Sequence, residues 1–152
     1  MEQITLRHHI LVAENNPGDV RLIREALKDS PLDLELHIVG DGLSALDYLR
    51  RQKSYTAAPR PSLVVLDWNL PKKSGRDVLA AIKVDETLKR IPVIIFTTSD
   101  ADTDRLIAYN LHANCFVTKP MDLEEFLEAI RSIEDFWLNT TNLPPAPAPA
   151  SG

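Results

Sequence analysis

The sequence predicts a (βα)5 three-layer sandwich, with a five-stranded parallel sheet of order 2-1-3-4-5 between two layers of helices. Three observations carry this expectation. Short apolar runs alternate with helix-period patterns five times along the chain, and repeated βα units demand right-handed crossovers and a parallel sheet. Leu63-Val64-Val65-Leu66 shows no polar alternation, as a strand covered on both faces requires. Leu34-Glu35-Leu36-His37-Ile38 alternates strictly, as a half-buried edge strand does. A chain of 152 residues is too short for a (β/α)8 barrel, which takes about 250, whereas five units fit the flavodoxin-like α/β order.

The elements follow in turn. The first strand, Ile10–Ala13, ends at Glu14-Asn15-Asn16-Pro17. Asn16 suits an N-cap and Pro17 the first helical position. The helix they start runs to about Asp29 on a stripe of Leu22, Ile23, Ala26 and Leu27, and Ser30-Pro31 ends it. After the second strand, Gly40-Asp41-Gly42 turns the chain into a helix through about Arg51 that carries Leu43, Leu46, Tyr48 and Leu49. Residues 54–62, with Pro59 and Pro61, form a loop. The third strand ends at Asp67, and a helix from about Gly75 to Asp85 presents Val78, Leu79 and Ile82. The fourth strand, Pro92–Phe96, runs into Thr97-Thr98-Ser99, and a helix follows from about Ala101 to Leu111. A short strand near Cys115–Val117 leads to Thr118-Lys119-Pro120. The last helix, about Leu123 to Leu138, is expected to bury Leu123, Phe126, Leu127, Ile130 and Ile133. Residues 1–138 thus read as one domain and 139–152 as a Pro/Ala-rich arm of polyproline bias.

Composition narrows the function. Seventeen Lys+Arg against 22 Asp+Glu give a net charge of −5, which argues against nucleic acid or anionic membrane as the main partner. The single cysteine, Cys115, excludes an intrachain disulfide and a Cys-based zinc cluster. The histidines are His8, His9, His37 and His112, with no HExxH-type pair. There is neither an 18-residue apolar stretch nor a signal-peptide pattern at the N-terminus, so a cytoplasmic protein is expected.

In open parallel sheets, ligands bind beyond the carboxyl ends of the strands where strand order reverses. Glu14, Asn15 and Asp67 stand just past the first and third strands, and Thr97 and Lys119 past the fourth and fifth. Each alone reads as a solvated, capping or turn residue. Together they bring acidic and amide oxygens, a hydroxyl and an ammonium to one rim, which suits a hard divalent cation and a phosphoryl group.

The set Glu14-Asn15-Asn16-Pro17, Leu66-Asp67-Trp68-Asn69-Leu70-Pro71, Thr97 and Lys119-Pro120 resembles the receiver domain of bacterial two-component response regulators, over about residues 7–138. Residues 70–79, 112–115 and 132–139 resemble single-domain regulators that serve phytochrome histidine kinases. The resemblance implies a phosphoacceptor rather than an enzyme. Asp67 would take a phosphoryl group from the kinase, and the phosphate would change partner binding or pass on through a histidine phosphotransfer protein. Mg2+ would sit among Glu14, Asn15, Asp67 and the Asn69 carbonyl. Lys119 and Thr97 would hold phosphoryl oxygens, a cis Lys119–Pro120 bond would aim the lysine, and Thr97 and Phe116 would form the switch.

Two positions depart from the family pattern. The second acid after the first strand is Asn15, whose amide oxygen carries no net charge, so weak Mg2+ binding is expected. Phe116 replaces a frequent tyrosine, so switching must rest on packing. A flavin- or nucleotide-binding module would need glycines or hydroxyls after the first strand, and a dehalogenase-like phosphatase a DxD pair; neither is present. The remaining alternative is a degenerate receiver acting as a phosphorylation-independent binding module, for which Asn15 is the support. Kinase docking is expected on the first helix, at Val20, Arg21 and Arg24. No output domain follows, so direct DNA binding is not expected. Tyr109, Phe136, Trp137 and Leu138 are expected to join a homodimer through the fourth helix, fifth strand, fifth helix and arm, because exposed aromatics form a patch that monomers avoid.

Overall fold

The computed structural model describes residues 7–140 and 143–144. Five parallel strands, β1 (His8–Ala13), β2 (Leu34–Val39), β3 (Leu63–Leu66), β4 (Val93–Thr97) and β5 (Cys115–Thr118), form one sheet in the order β2-β1-β3-β4-β5. The helices are α1 (Pro17–Leu27), α2 (Gly42–Arg50), α3 (Gly75–Val84), α4 (Asp102–Asn110) and α5 (Leu123–Glu134), with a 3-10 turn at Lys53–Tyr55. The expected fold class is the observed one.

Alternation along each strand divides the core into two layers. Leu11, Ala13, Val64, Leu66, Val93 and Ile95 pack under α2, α3 and α4, with Leu46, Val78, Leu79, Ile82 and Ala108. Ile10, Val12, Leu63, Val65, Ile94 and Phe96 pack under α1 and α5, with Ile23, Leu27, Phe126, Leu127, Ile130 and Ile133. β3 and β4 are buried on both faces, as their unbroken apolar runs require.

Side-chain caps set the helix starts. Asn16 Oδ1 accepts the N–H groups of Gly18 and Asp19 at 2.9 and 3.1 Å. Asp41, Ser74 and Asp122 cap α2, α3 and α5.

The last helix differs from expectation. α5 ends at Glu134, and residues Asp135–Thr140 continue as a wider π-helical segment. Leu123, the first residue of α5 and expected to be buried, is 53% exposed. The expected aromatic patch is reduced to Tyr109 and Phe136. Phe136 is exposed, but Leu138 is buried and Trp137 packs half-buried against the α1/α5 core layer. Most of the Pro/Ala-rich arm lies outside the described residues; Leu143 packs against the same layer.

Candidate functional site

The site is built at the carboxyl rim of the sheet from strand ends that cannot move independently. The Glu14 N–H donates to the Val39 carbonyl at 3.0 Å and the Asp67 N–H to the Ala13 carbonyl at 3.0 Å. The ladder thus continues one residue past β1 and β3 and carries both acids. Asp67 is further held by the turn after it: Asn69 N–H donates to its Oδ1 at 3.3 Å, and Gly75 N–H donates to the Trp68 carbonyl at 2.9 Å. A Cβ at Gly75 would stand 2.2 Å from the Asp67 carbonyl oxygen. Only glycine lets α3 start so close to the acid.

Lys119 lies across the cleft, one residue past β5, and its N–H donates to the Thr97 carbonyl at 2.6 Å. Its Nζ donates to Glu14 Oε2 at 2.7 Å, Asp19 Oδ2 at 2.8 Å and Asp67 Oδ2 at 3.1 Å. The ammonium and the Glu14 side chain are almost fully buried, Asp67 is 10% exposed and Asp19 20%. The Lys119–Pro120 bond is trans, correcting the expected cis bond: among the described residues there is no cis peptide. The long, flexible lysine stem reaches all three carboxylates from a chain that simply continues the β4–β5 ladder.

Asp19 is the member that sequence reasoning missed. As the third residue of α1 it reads as a helix-dipole acid behind the Asn16 cap. Side chains of a helix's first turn point back past its N-terminus, here toward the rim, and that geometry was the available signal. Asn15 lines the same cleft but is exposed, with the adjacent Asn16 N–H donating to Glu14 Oε1 at 3.0 Å. The cleft is about 380 Å³ and is lined by Glu14, Asn15, Asp19, Asp67, Asn69 and Lys119, together with Thr98. Thr97 is fully buried instead, and its Oγ1 accepts the Ser99 N–H at 3.4 Å. Of the two adjacent threonines, the structure sets Thr98, not the expected Thr97, on the cleft wall.

The charge balance is uneven: three carboxylates face one ammonium, a formal excess of two negative charges. Burial pushes the Glu14 carboxyl up to about 7; the Lys119 hydrogen bond opposes this and the Asp67 charge adds to it. Burial works against the Lys119 charge, but its bonds to Asp19 and Glu14 and the field of Asp67 hold its pKa above the ordinary value. A second cation is therefore favoured here. The donor set of carboxylate and carbonyl oxygens fits a hard dication such as Mg2+.

The switch candidates lie on the α4–β5 side. Phe116 packs edge-to-face on Trp68, with centroids 6.4 Å apart, and Arg105 lies 5.7 Å from its ring centre. The Phe116 N–H donates to the Tyr109 hydroxyl at 3.2 Å, so Tyr109 serves the free edge of β5.

A doubly wound sheet with a buried lysine drawn onto acids at its carboxyl rim defines an α/β domain whose donor set suits a divalent cation and a phosphoryl group. A family model described as the response regulator receiver domain matches residues 10–131, and the chain belongs to that family. It is 48% identical over 137 residues to response regulator Rcp1 of Synechocystis sp., covering 90% of this chain and 93% of that protein. Among solved structures, the phosphorylated cyanobacterial phytochrome response regulator RcpA superposes with a TM-score of 0.90 at 46% identity, covering 92% of this chain and 100% of that one. The Mn2+-bound form of Rcp1 gives 0.88 at 47% identity, covering 91% and 99%. Phosphoryl acceptance is general for the family. No helix among the described residues is long and apolar enough to cross a membrane.

Proposed function

We propose that this receiver accepts a phosphoryl group on Asp67 from a phosphohistidine of a histidine kinase. The observation that carries the reading is the convergence of Glu14, Asp19 and Asp67 on the Lys119 ammonium. An Asp67 oxygen forms a bond to phosphorus while the phosphorus–nitrogen bond breaks and the imidazole leaves. Lys119 Nζ, already 3.1 Å from Asp67 Oδ2, holds a phosphoryl oxygen as charge develops. Glu14, Asp67 and the Asn69 carbonyl, with Asp19 or Asn15 completing the set, would hold Mg2+. Bound there, the ion would neutralise phosphoryl oxygens as a Lewis acid. Thr97 turns its hydroxyl toward the phosphoryl group from its buried position, Thr98 contacts it from the wall, and Phe116 reports the change by repacking on Trp68.

The partner kinase we favour is of the phytochrome type, because the structural relatives at 46–47% identity include a phytochrome response regulator. A histidine phosphotransfer protein would be the onward acceptor. Docking uses the outer side of α1, where Arg21 and Arg24 are exposed. The receiver spans 1–138 and the arm 139–152. A homodimer forms across α4, β5, α5 and the segment after it, where Leu106, Tyr109 and Phe136 are exposed.

Labelling by phosphohistidine kinase, or by acetyl phosphate with and without Mg2+, tests the proposal. Asp67→Asn is expected to abolish label. Undiminished label on that variant overturns the assignment, and no label on the wild-type protein from any donor favours the phosphorylation-independent binding module.

A further inference from the structure

We propose that His9, Glu35 and His37 form a second metal site, at the opposite end of the sheet, for a first-row transition dication of the zinc class. β1 and β2 pair in the register His9↔Glu35 and Leu11↔His37. Alternation therefore puts His9, Leu11 and Ala13 on the same face as Glu35, His37 and Val39. Farther along, this face is core: Leu11, Ala13 and Val39 lie buried under α2. Its amino end instead carries two imidazoles and a carboxylate.

Their donor atoms converge. His9 Nδ1 is 3.0 Å from His37 Nε2. Glu35 Oε2 is 3.7 Å from His9 Nδ1, and Glu35 Oε1 is 4.0 Å from His37 Nε2. Three ligands on a tetrahedral zinc at its usual bond lengths stand about 3.3–3.5 Å from one another. The two nitrogens lie closer than this and the Glu35 contacts, made by its two different oxygens, lie farther, so small side-chain adjustments meet what one ion requires. Two nitrogens and one oxygen are a borderline donor set that suits zinc and its neighbours, not Mg2+.

The surroundings fit a three-ligand site with an open position. The His9 and His37 side chains are 23% and 19% exposed, whereas Glu35 is 44% exposed, so the rings are held and the carboxylate side is open to an ion and a water. The His37 ring packs on Tyr48 at 5.4 Å, and the Tyr48 hydroxyl donates to the Pro59 carbonyl at 3.1 Å. Ring support of this kind orients ligating histidines. Glu35 Oε2 also accepts from Arg7 Nη1 at 3.2 Å, so the ion must share or displace that contact. His9 lies five residues before Glu14 along β1, roughly 16 Å away at strand rise. The site is separate from the carboxylate cleft.

The test is isothermal titration of the chelator-stripped full chain with Zn2+ in excess Mg2+, which occupies the hard-oxygen cleft. One Zn2+ per chain is expected, weakened more than about tenfold in His37→Ile and in Glu35→Gln. Co2+ in place of Zn2+ is expected to give the visible absorption of a tetrahedral N/O site, lost in His37→Ile. Circular dichroism and Asp67 labelling verify that each variant is folded; Glu35→Gln, altering a partly exposed side chain, keeps the test decisive if His37→Ile does not fold. No Zn2+ uptake in excess Mg2+ would show the imidazole contact to be only a neutral N–H···N hydrogen bond. Uptake unchanged in both variants would place the ion elsewhere. Either outcome overturns the proposal.

Discussion

Glu14 shows how the cleft trades stability for chemistry. Its ordinary pKa of 4.5 is raised to about 7 in the fold, first by burial and then by the Asp67 charge. A raised folded pKa means that the folded state binds the proton more tightly. The stabilisation from protonated Glu14 is complete below about 4.5 and is lost as pH rises through about 7. Glu14→Gln, which keeps an acceptor for Lys119, is therefore expected to stabilise the unphosphorylated protein at pH 8 by roughly 1–3 kcal/mol, with the gain vanishing below about pH 4.5. Urea unfolding across that range checks it, and a variant that is no more stable at pH 8 refutes the argument. With Asn15 uncharged, Asp19 is the carboxylate placed to supply the missing charge, so Asp19→Asn is expected to weaken Mg2+ binding severalfold and Asn15→Asp to tighten it severalfold. Quenching of Trp68 fluorescence measures both, and an unchanged affinity in Asp19→Asn leaves Asp19 as a partner of Lys119 alone.

Among the elements, the β3–α3 connection constrains the site most tightly. α3 begins against the backbone of Asp67 and Trp68, with room for no Cβ at Gly75. Gly75→Ala is expected to cost about 1–3 kcal/mol and to slow Asp67 labelling, because the acid must shift with the displaced backbone. Thermal unfolding with a labelling time course checks this; native stability and rate would mean that the turn gives way freely. Most elements were legible because their caps and stripes are local: Asn16, Asp41, Ser74 and Asp122 each mark a helix start within a few residues. The exceptions sit at edges. Leu123 lies on the spacing of the buried stripe yet is exposed, and periodicity does not encode where a neighbouring layer stops. The π-helical turn after Glu134 likewise goes with a non-local contact, Leu138 buried in the α1/α5 layer.

For the whole molecule, exposed apolar side chains include Leu106 (62%) and Tyr109 on α4 and Phe136 (51%) just after α5, besides Val84, Met121 and Leu123. If two copies pair through Leu106, Tyr109 and Phe136, Leu106→Glu with Phe136→Glu is expected to yield a monomer by light scattering while Asp67 labelling persists. A wild-type protein that is monomeric at micromolar concentration, phosphorylated or not, rules the dimer out. By itself the sequence determined the layered α/β order, both faces of the central strands, and the strand-end positions of Glu14, Asp67 and Lys119, because period, burial and chain direction are written locally. Only the tertiary structure decided which atoms meet. Asp19 reaches Lys119 across 100 residues of chain, Thr98 rather than Thr97 lines the cleft, and His9 meets His37 across 28. Such contacts are set by register and helix placement, which spacing along one chain does not specify.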